Sequence, residues 1–155
     1  MSALVLTLQL LCPHAPEYAR PIAFEAHRHL IHPVLLAVLV YHESRCRMDR
    51  VGVHGEIGAG QIIPGGAAAT SPILGRKFTR AQLKNLNINI YVAARYVAWN
   101  MRACNDNPKL ALTGYSHRTT CHPSRYARKV LRTVEKARRY IARQQQPSPF
   151  HFSVD

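Results

Sequence analysis

The residues Pro33 to Val40 read PVLLAVLV, and every position after the proline is apolar. A helix built from this run has no polar stripe to turn toward water, so it must be enclosed on all sides. Pro33 suits the first helical turn, where a missing N–H costs nothing. The chain therefore folds as other elements packed around one central buried helix. Glu43 follows within the next turn and brings a carboxylate to the end of that helix. Burial and the negative end of the helix dipole both disfavour its charged form. A carboxylic acid kept protonated near neutral pH is what general acid catalysis requires. An isolated Glu at such a place more often marks where a helix meets solvent, so the surrounding motifs must decide.

A chain of 155 residues has the size of one domain with a real core. The expected division is a single domain over 1–155, with its motifs between about residue 19 and residue 143. The stretch from Gln144 to Asp155, with two prolines, is expected as a frayed tail. The charge is lopsided, with 21 Lys and Arg against 8 Asp and Glu, a formal +13. That calls for an anionic partner or surface: nucleic acid, an anionic membrane or a wall polymer.

The N-terminal apolar run from Ala3 to Cys12 is too short to span a bilayer as a helix. No Lys or Arg precedes it and no small-x-small cleavage site directly follows, so it is no convincing signal peptide. It reads as a first core helix. The cysteines Cys12, Cys46, Cys104 and Cys121 contain no CxxC pair, which argues against a zinc site. Two disulfides with three possible connectivities, or free buried thiols, remain equally open.

Further along, Pro21 to Leu30 reads as a short helix offering Ile22, Phe24 and Ala26 to the core. A glycine-rich loop runs from Gly52 to Gly66. No GK[ST] follows it and no β-rich strand precedes it, which excludes a P-loop and a Rossmann turn. Thr79 and Gln82 form a capping box that starts a helix. A longer helix spans roughly Ile88 to Cys104, with Ile90, Ala94, Val97 and Met101 on one face. Asn107-Pro108 opens another through Ala111, Leu112 and Tyr115. The last begins near Ser124 and carries Tyr126, Val130, Val134, Ala137 and Ile141 inward. Its outer face is basic, with Arg128, Lys129, Arg132, Lys136, Arg139 and Arg143 among its residues. The fold class is mainly α, with little or no sheet.

Five pieces of sequence stand in a particular order: Glu43-Ser44; Gly55-x-x-Gly58-x-x-Gln61 with Pro64; Asn89-Ile90 followed by Ala93-Ala94-Arg95-Tyr96-Val97; Ala111-Leu112-x-x-Tyr115; and Tyr126-x-x-Lys129-Val130-Leu131. Together they resemble the soluble lytic transglycosylase family, the bacterial and phage branch of the goose-type lysozyme-like folds. The resemblance covers about residues 19 to 132. It implies a lysozyme-like helical domain with a cleft for a peptidoglycan glycan strand, and it makes Glu43 the only catalytic carboxylate. It also implies that Gly58 and Gln61 line the cleft and that Tyr115 lies close to Glu43. Ser44, Asn89 and Tyr96, from the same motifs, join the expected substrate contacts. Three features depart from the family pattern: Ser116 in place of Asn, Ala59-Gly60 in place of Leu-Met, and no Ser around Val53-His54.

Such an enzyme breaks the β-1,4 bond between N-acetylmuramic acid and N-acetylglucosamine and leaves a 1,6-anhydro end. It needs neither metal nor cofactor. The alternative within enzymes is a muramidase that uses water, with Glu56 or Asp49 as its second carboxylate. A third reading is a non-enzymatic basic protein binding an envelope or nucleic acid. No aromatic-interleaved basic patch supports specific nucleic-acid binding. The expected partner is peptidoglycan, engaged by a monomer, with the anionic envelope met through Arg128, Arg132, Arg139 and Arg143. The place of action is then the cell wall, and the charge suits a phage lysis or virion protein, released through a holin or carried in the particle.

Overall fold

A computed structural model describes residues 1–66, 75–117 and 121–146, apart from the side chain of His117. These residues form seven α-helices: α1 (Ala3–Leu11), α2 (Ala19–His29), α3 (Pro33–Ser44), α4 (Arg80–Leu83), α5 (Leu86–Ala103), α6 (Pro108–His117) and α7 (Arg125–Gln145). A 3-10 turn over Pro16–Tyr18 leads into α2. No sheet forms among the described residues; two isolated antiparallel bridges, Val51 with Ile57 and Ile57 with Ile62, fold the glycine loop back on itself.

Helix α3 is the buried helix that its composition demands. Val34 to Val40 are all buried, and α1, α2 and α7 pack around them. His32 caps its start, its Nδ1 accepting from the Val34 amide at 3.3 Å, with Pro33 in the first turn. Most other starts follow the same local logic. Thr79 and Gln82 complete the capping box of α4, and the Ser124 hydroxyl accepts from the Ala127 amide at 3.0 Å to open α7. Asn85 caps α5 through the Ile88 amide at 3.2 Å, so that helix begins at Leu86 rather than at Ile88. The last helix runs on through Gln145, so Gln144 and Gln145 are helical and not part of a frayed tail; the rest of that expectation, 147–155, lies outside the described residues.

Phe24 does not reach the core and is 63% exposed. Inward positions on a helix recur every three or four residues, and α2 is anchored by Ile22, Ala26 and His29 with Glu25 beside them. Phe24 falls on the opposite side. Helix α5 is buried more widely than its single face of Ile90, Ala94, Val97 and Met101. Val92, Ala93 and Tyr96 form a second cluster with Ile57, Ile62, Phe78 and Leu83. That smaller core fastens the glycine loop to the helical body.

Two disulfides close the framework, Cys12–Cys46 and Cys104–Cys121, with Cα separations of 6.0 and 5.4 Å. The first ties the end of α1 to the turn that follows Glu43. Loops of 34 and 17 residues correspond to about 3–4 kcal/mol each in the chain-entropy picture.

Candidate active site

Glu43 sits in the last turn of α3, half-buried. Its helix ends one residue later, at Ser44, because Arg45 and then Cys46 take left-handed backbone angles, φ 58° and 57°. The hydroxyl of Tyr126, from the first turn of α7, donates to Glu43 Oε1. Burial pushes the Glu43 carboxyl up to about 7; the Tyr126 hydrogen bond and the Arg50 guanidinium oppose the shift, and the Glu56 charge adds to it. Near neutral pH the group therefore exists in both forms, able to give a proton and to take one back. The Tyr126 phenol is held well above its ordinary value by burial and by the Glu43 charge, so it stays a donor.

The glycine loop lies near enough for the charge of its Glu56 to act on Glu43. Gly58 has φ +72°, and a Cβ there would strike Met48 and come within 2.7 Å of Asn89 Nδ2. At Gly60 a Cβ would lie 2.7 Å from the Ala93 side chain and 3.0 Å from the Tyr115 hydroxyl. The backbone thus lies directly on α5 and α6, closer than any side chain would permit. Asn89 holds it there: its Oδ1 accepts from the Gly60 amide at 2.7 Å, and its Nδ2 donates to the carbonyls of Ile57 at 2.9 Å and Leu83 at 2.8 Å. Tyr115 donates to the Gly60 carbonyl at 2.7 Å. The Glu43 charge also raises the Tyr115 phenol, after burial, which places Tyr115 in the electrostatic neighbourhood of the carboxyl.

Gln61 has φ 49°, and its side-chain nitrogen donates to the carbonyls of Gly58 at 2.9 Å and Arg50 at 3.3 Å. It stays half-exposed at the loop edge.

Four of the residues expected as substrate contacts are buried. Ser44 is fully buried; its hydroxyl donates to the Val40 carbonyl and accepts from the Arg47 amide, both at 3.2 Å, finishing the helix end. Asn89 is fully buried as the loop's anchor. Tyr96 donates to the Gly114 carbonyl at 3.1 Å, and its ring lies 5.4 Å from that of Tyr115, which it braces. Gly58 is buried beneath Met48. These residues hold the loop and the helix end in place from behind.

Of the two further carboxylates, Asp49 is exposed and paired with Arg47 at 3.1 Å, which holds its carboxyl below the usual range. Glu56 is half-buried, its Oε2 accepting from the His54 amide at 2.9 Å, and it is Glu56 whose charge acts on Glu43. The absence of a side chain at Gly52 lets the Glu56 carboxylate and the Gln61 amide pass over it together, since a Cβ there would meet both. Tyr126 had been expected only as a core residue. Its motif placed it one turn before Lys129-Val130, but nothing local in the sequence could show it reaching Glu43. His42, next to Glu43, turns instead to α7 and pairs with the Thr133 hydroxyl at 2.8 Å. Burial, then Lys129 and Arg45, lower its pKa to about 4, so it is neutral near pH 7. Among the described residues no group of three or more His, Cys, Asp or Glu side chains could hold a metal ion.

A solved structure titled as an inactive variant of the lytic transglycosylase Slt from Pseudomonas aeruginosa shares the fold. The TM-score is 0.70 and the identity 23%, over 92% of this chain and 26% of that one. This chain therefore spans about a quarter of that protein's length. No curated protein sequence matches. The Transglycosylase SLT domain matches residues 20–131, which takes in Glu43, the glycine loop, Tyr115 and Tyr126. A match over most of the chain, with the same helical architecture, settles the kinship: this chain belongs to the SLT transglycosylase domain family.

Proposed function

We propose that this domain is a peptidoglycan lytic transglycosylase with Glu43 as its single catalytic carboxylate. The reading rests on the family membership and on one observation: a half-buried carboxyl pushed up to about 7, gripped by Tyr126 and close enough to Tyr115 for its charge to act on that phenol. In the first half of the reaction, the Glu43 proton passes to the bridging oxygen as its bond to C1 of N-acetylmuramic acid breaks. The N-acetylglucosamine side leaves as a 4-hydroxyl, and the substrate's own N-acetyl group stabilises the cation at C1. The carboxylate so formed then accepts the proton of the muramyl 6-hydroxyl while that oxygen bonds to C1. A 1,6-anhydro ring results, no water is consumed, and Glu43 ends protonated. Both halves need the acid and its conjugate base to be accessible at one pH, which a pKa near 7 provides.

Glu56 favours a second reading, a muramidase in which water attacks, because it is the carboxylate whose charge acts on Glu43. A second group within about 5–9.5 Å of the acid would be required. Mass spectrometry of the fragments released from purified sacculi separates the two. Anhydro ends support the transglycosylase; reducing ends throughout, abolished by Glu56→Gln, establish the hydrolase.

A further inference from the structure

Helix α7 keeps Ala127, Val130, Val134, Ala137 and Ile141 against the core. Arg128, Lys129, Arg132, Lys136, Arg139 and Arg143 are all exposed on the other side. At about 100° per residue these six fall within an arc of about 100°, and they extend over about 22 Å of helix. None has an acidic partner among the described residues. The one acid of the helix, Glu135, lies at the edge of the arc and pairs with Arg138 at 3.2 Å, away from it. An ordinary solvated helix face mixes signs, and like charges three or four residues apart repel. Here Arg128–Arg132, Lys129–Arg132, Arg132–Lys136, Lys136–Arg139 and Arg139–Arg143 are all like pairs. The helix holds this row against its own repulsion, and a row of anions would relieve it.

Beside the row, Leu10 at the end of α1 and the ring of Tyr140 lie between Arg132, Lys136, Arg139 and Arg143 in a shallow groove. Both are half-buried. Cationic walls with an apolar floor suit a phosphate whose substituent is greasy. Four of the six cations are arginines, whose forked guanidinium matches phosphate oxygens two at a time. Tyr140 is the one aromatic ring in the groove, so no platform exists for stacking successive bases. We propose that this face of α7 docks on an anionic phospholipid surface, lipid phosphates lying along the arginine row with Leu10 and Tyr140 at the interface. Tyr126, one turn before Lys129 on the same helix, holds Glu43, so the helix that docks is also the one that holds the acid. The proposal concerns attachment and stands apart from the glycan chemistry.

The test is co-sedimentation at 50 mM salt with vesicles of phosphatidylcholine and phosphatidylglycerol in equal parts, and with pure phosphatidylcholine vesicles. The proteins are the wild type, R128Q/R132Q/R139Q/R143Q, and a control, R20Q/K77Q/K84Q/K109Q. The control loses the same charge from exposed sites off α7. Expected is binding to the anionic vesicles alone, weakened on the order of 100-fold or more in the α7 variant and only a few-fold in the control. Should the quadruple variant melt lower than the wild type, R132Q/R139Q is read in its place against R20Q/K84Q. Equal losses in variant and control would overturn the proposal in favour of net charge. So would undiminished binding by the α7 variant, and so would tighter binding to a DNA duplex than to vesicles at the same salt.

Discussion

Tyr126 donates its hydroxyl hydrogen to the carboxyl of Glu43, joining the start of α7 to the end of α3 across 83 positions of sequence. A hydrogen bond to the charged form favours that form, so Tyr126 holds the Glu43 pKa below where burial alone would put it. Removing it with Tyr126→Phe should raise that pKa by about one pH unit, the size expected for a hydrogen bond to a charged group. The alkaline limb of kcat/KM on soluble wall fragments should then move to higher pH. A residue that merely filled space would lower the rate at every pH and leave the limb where it was.

Glu43→Gln should cost on the order of 10²-fold or more in sacculus lysis, the usual scale for a lost general acid. Activity within a few-fold of wild type would remove Glu43 from the mechanism. The same variant carries a stability signature. Glu43 rises from an ordinary 4.5 to about 7 on folding, so its folded form holds a proton more tightly than its unfolded form. Stability linked to that proton is complete below pH 4.5 and drains away as pH climbs to 7, about 3 kcal/mol in all. Glutamine carries no such dependence. Denaturant unfolding at pH 4 and pH 8 should show the variant gaining on the wild type at the higher pH.

What was legible in the sequence was local. The all-apolar run of α3, the Thr79–Gln82 box, the Asn107-Pro108 start and the Ser124 cap are each written within a few residues, and each formed where expected. The Glu43 charge acts on the Tyr115 phenol, so these two motif residues are electrostatic neighbours. What stayed hidden depends on partners distant in sequence. Whether Asn89 meets substrate or backbone is decided by the loop that arrives from 29 residues away, at Gly60. Tyr96 could not be assigned inside or outside before the neighbours of α5 were known. The choice among three disulfide connectivities waited on where α1 docks.

Asn89→Ala tests the anchoring role that burial gives this residue. It would leave the Gly60 amide and the Leu83 carbonyl without this partner, while the Ile57 carbonyl keeps the Ile62 amide at 3.0 Å. Buried groups left unpaired cost about 1–3 kcal/mol each, so a loss of several kcal/mol is expected in denaturant unfolding, together with lower kcat as Gly60 releases Tyr115. An unchanged unfolding midpoint with only KM raised would return Asn89 to the substrate contacts.

The disulfide Cys12–Cys46 makes a prediction about a part of the chain that lies outside the matched family residues. Helix α1 precedes residue 20, yet it packs on α3 and α7 and is bonded to the turn three residues beyond Glu43. Cys12 and Cys46 are both buried, so the link is shielded in the native state. Cys12→Ser/Cys46→Ser opens a 34-residue loop, worth about 3–4 kcal/mol, and should lower Tm by roughly 10 °C for a domain of this size. Arg45 and Cys46, both held at positive φ, lose their tether, and Arg50 further along the same turn is one of the two groups that lower the Glu43 pKa. The variant's alkaline limb should therefore rise toward that of Tyr126→Phe, because a freed turn no longer keeps Arg50 in place. Calorimetry and a pH–rate profile check both halves, and a variant that melts lower with an unmoved limb would confine the disulfide to stability alone.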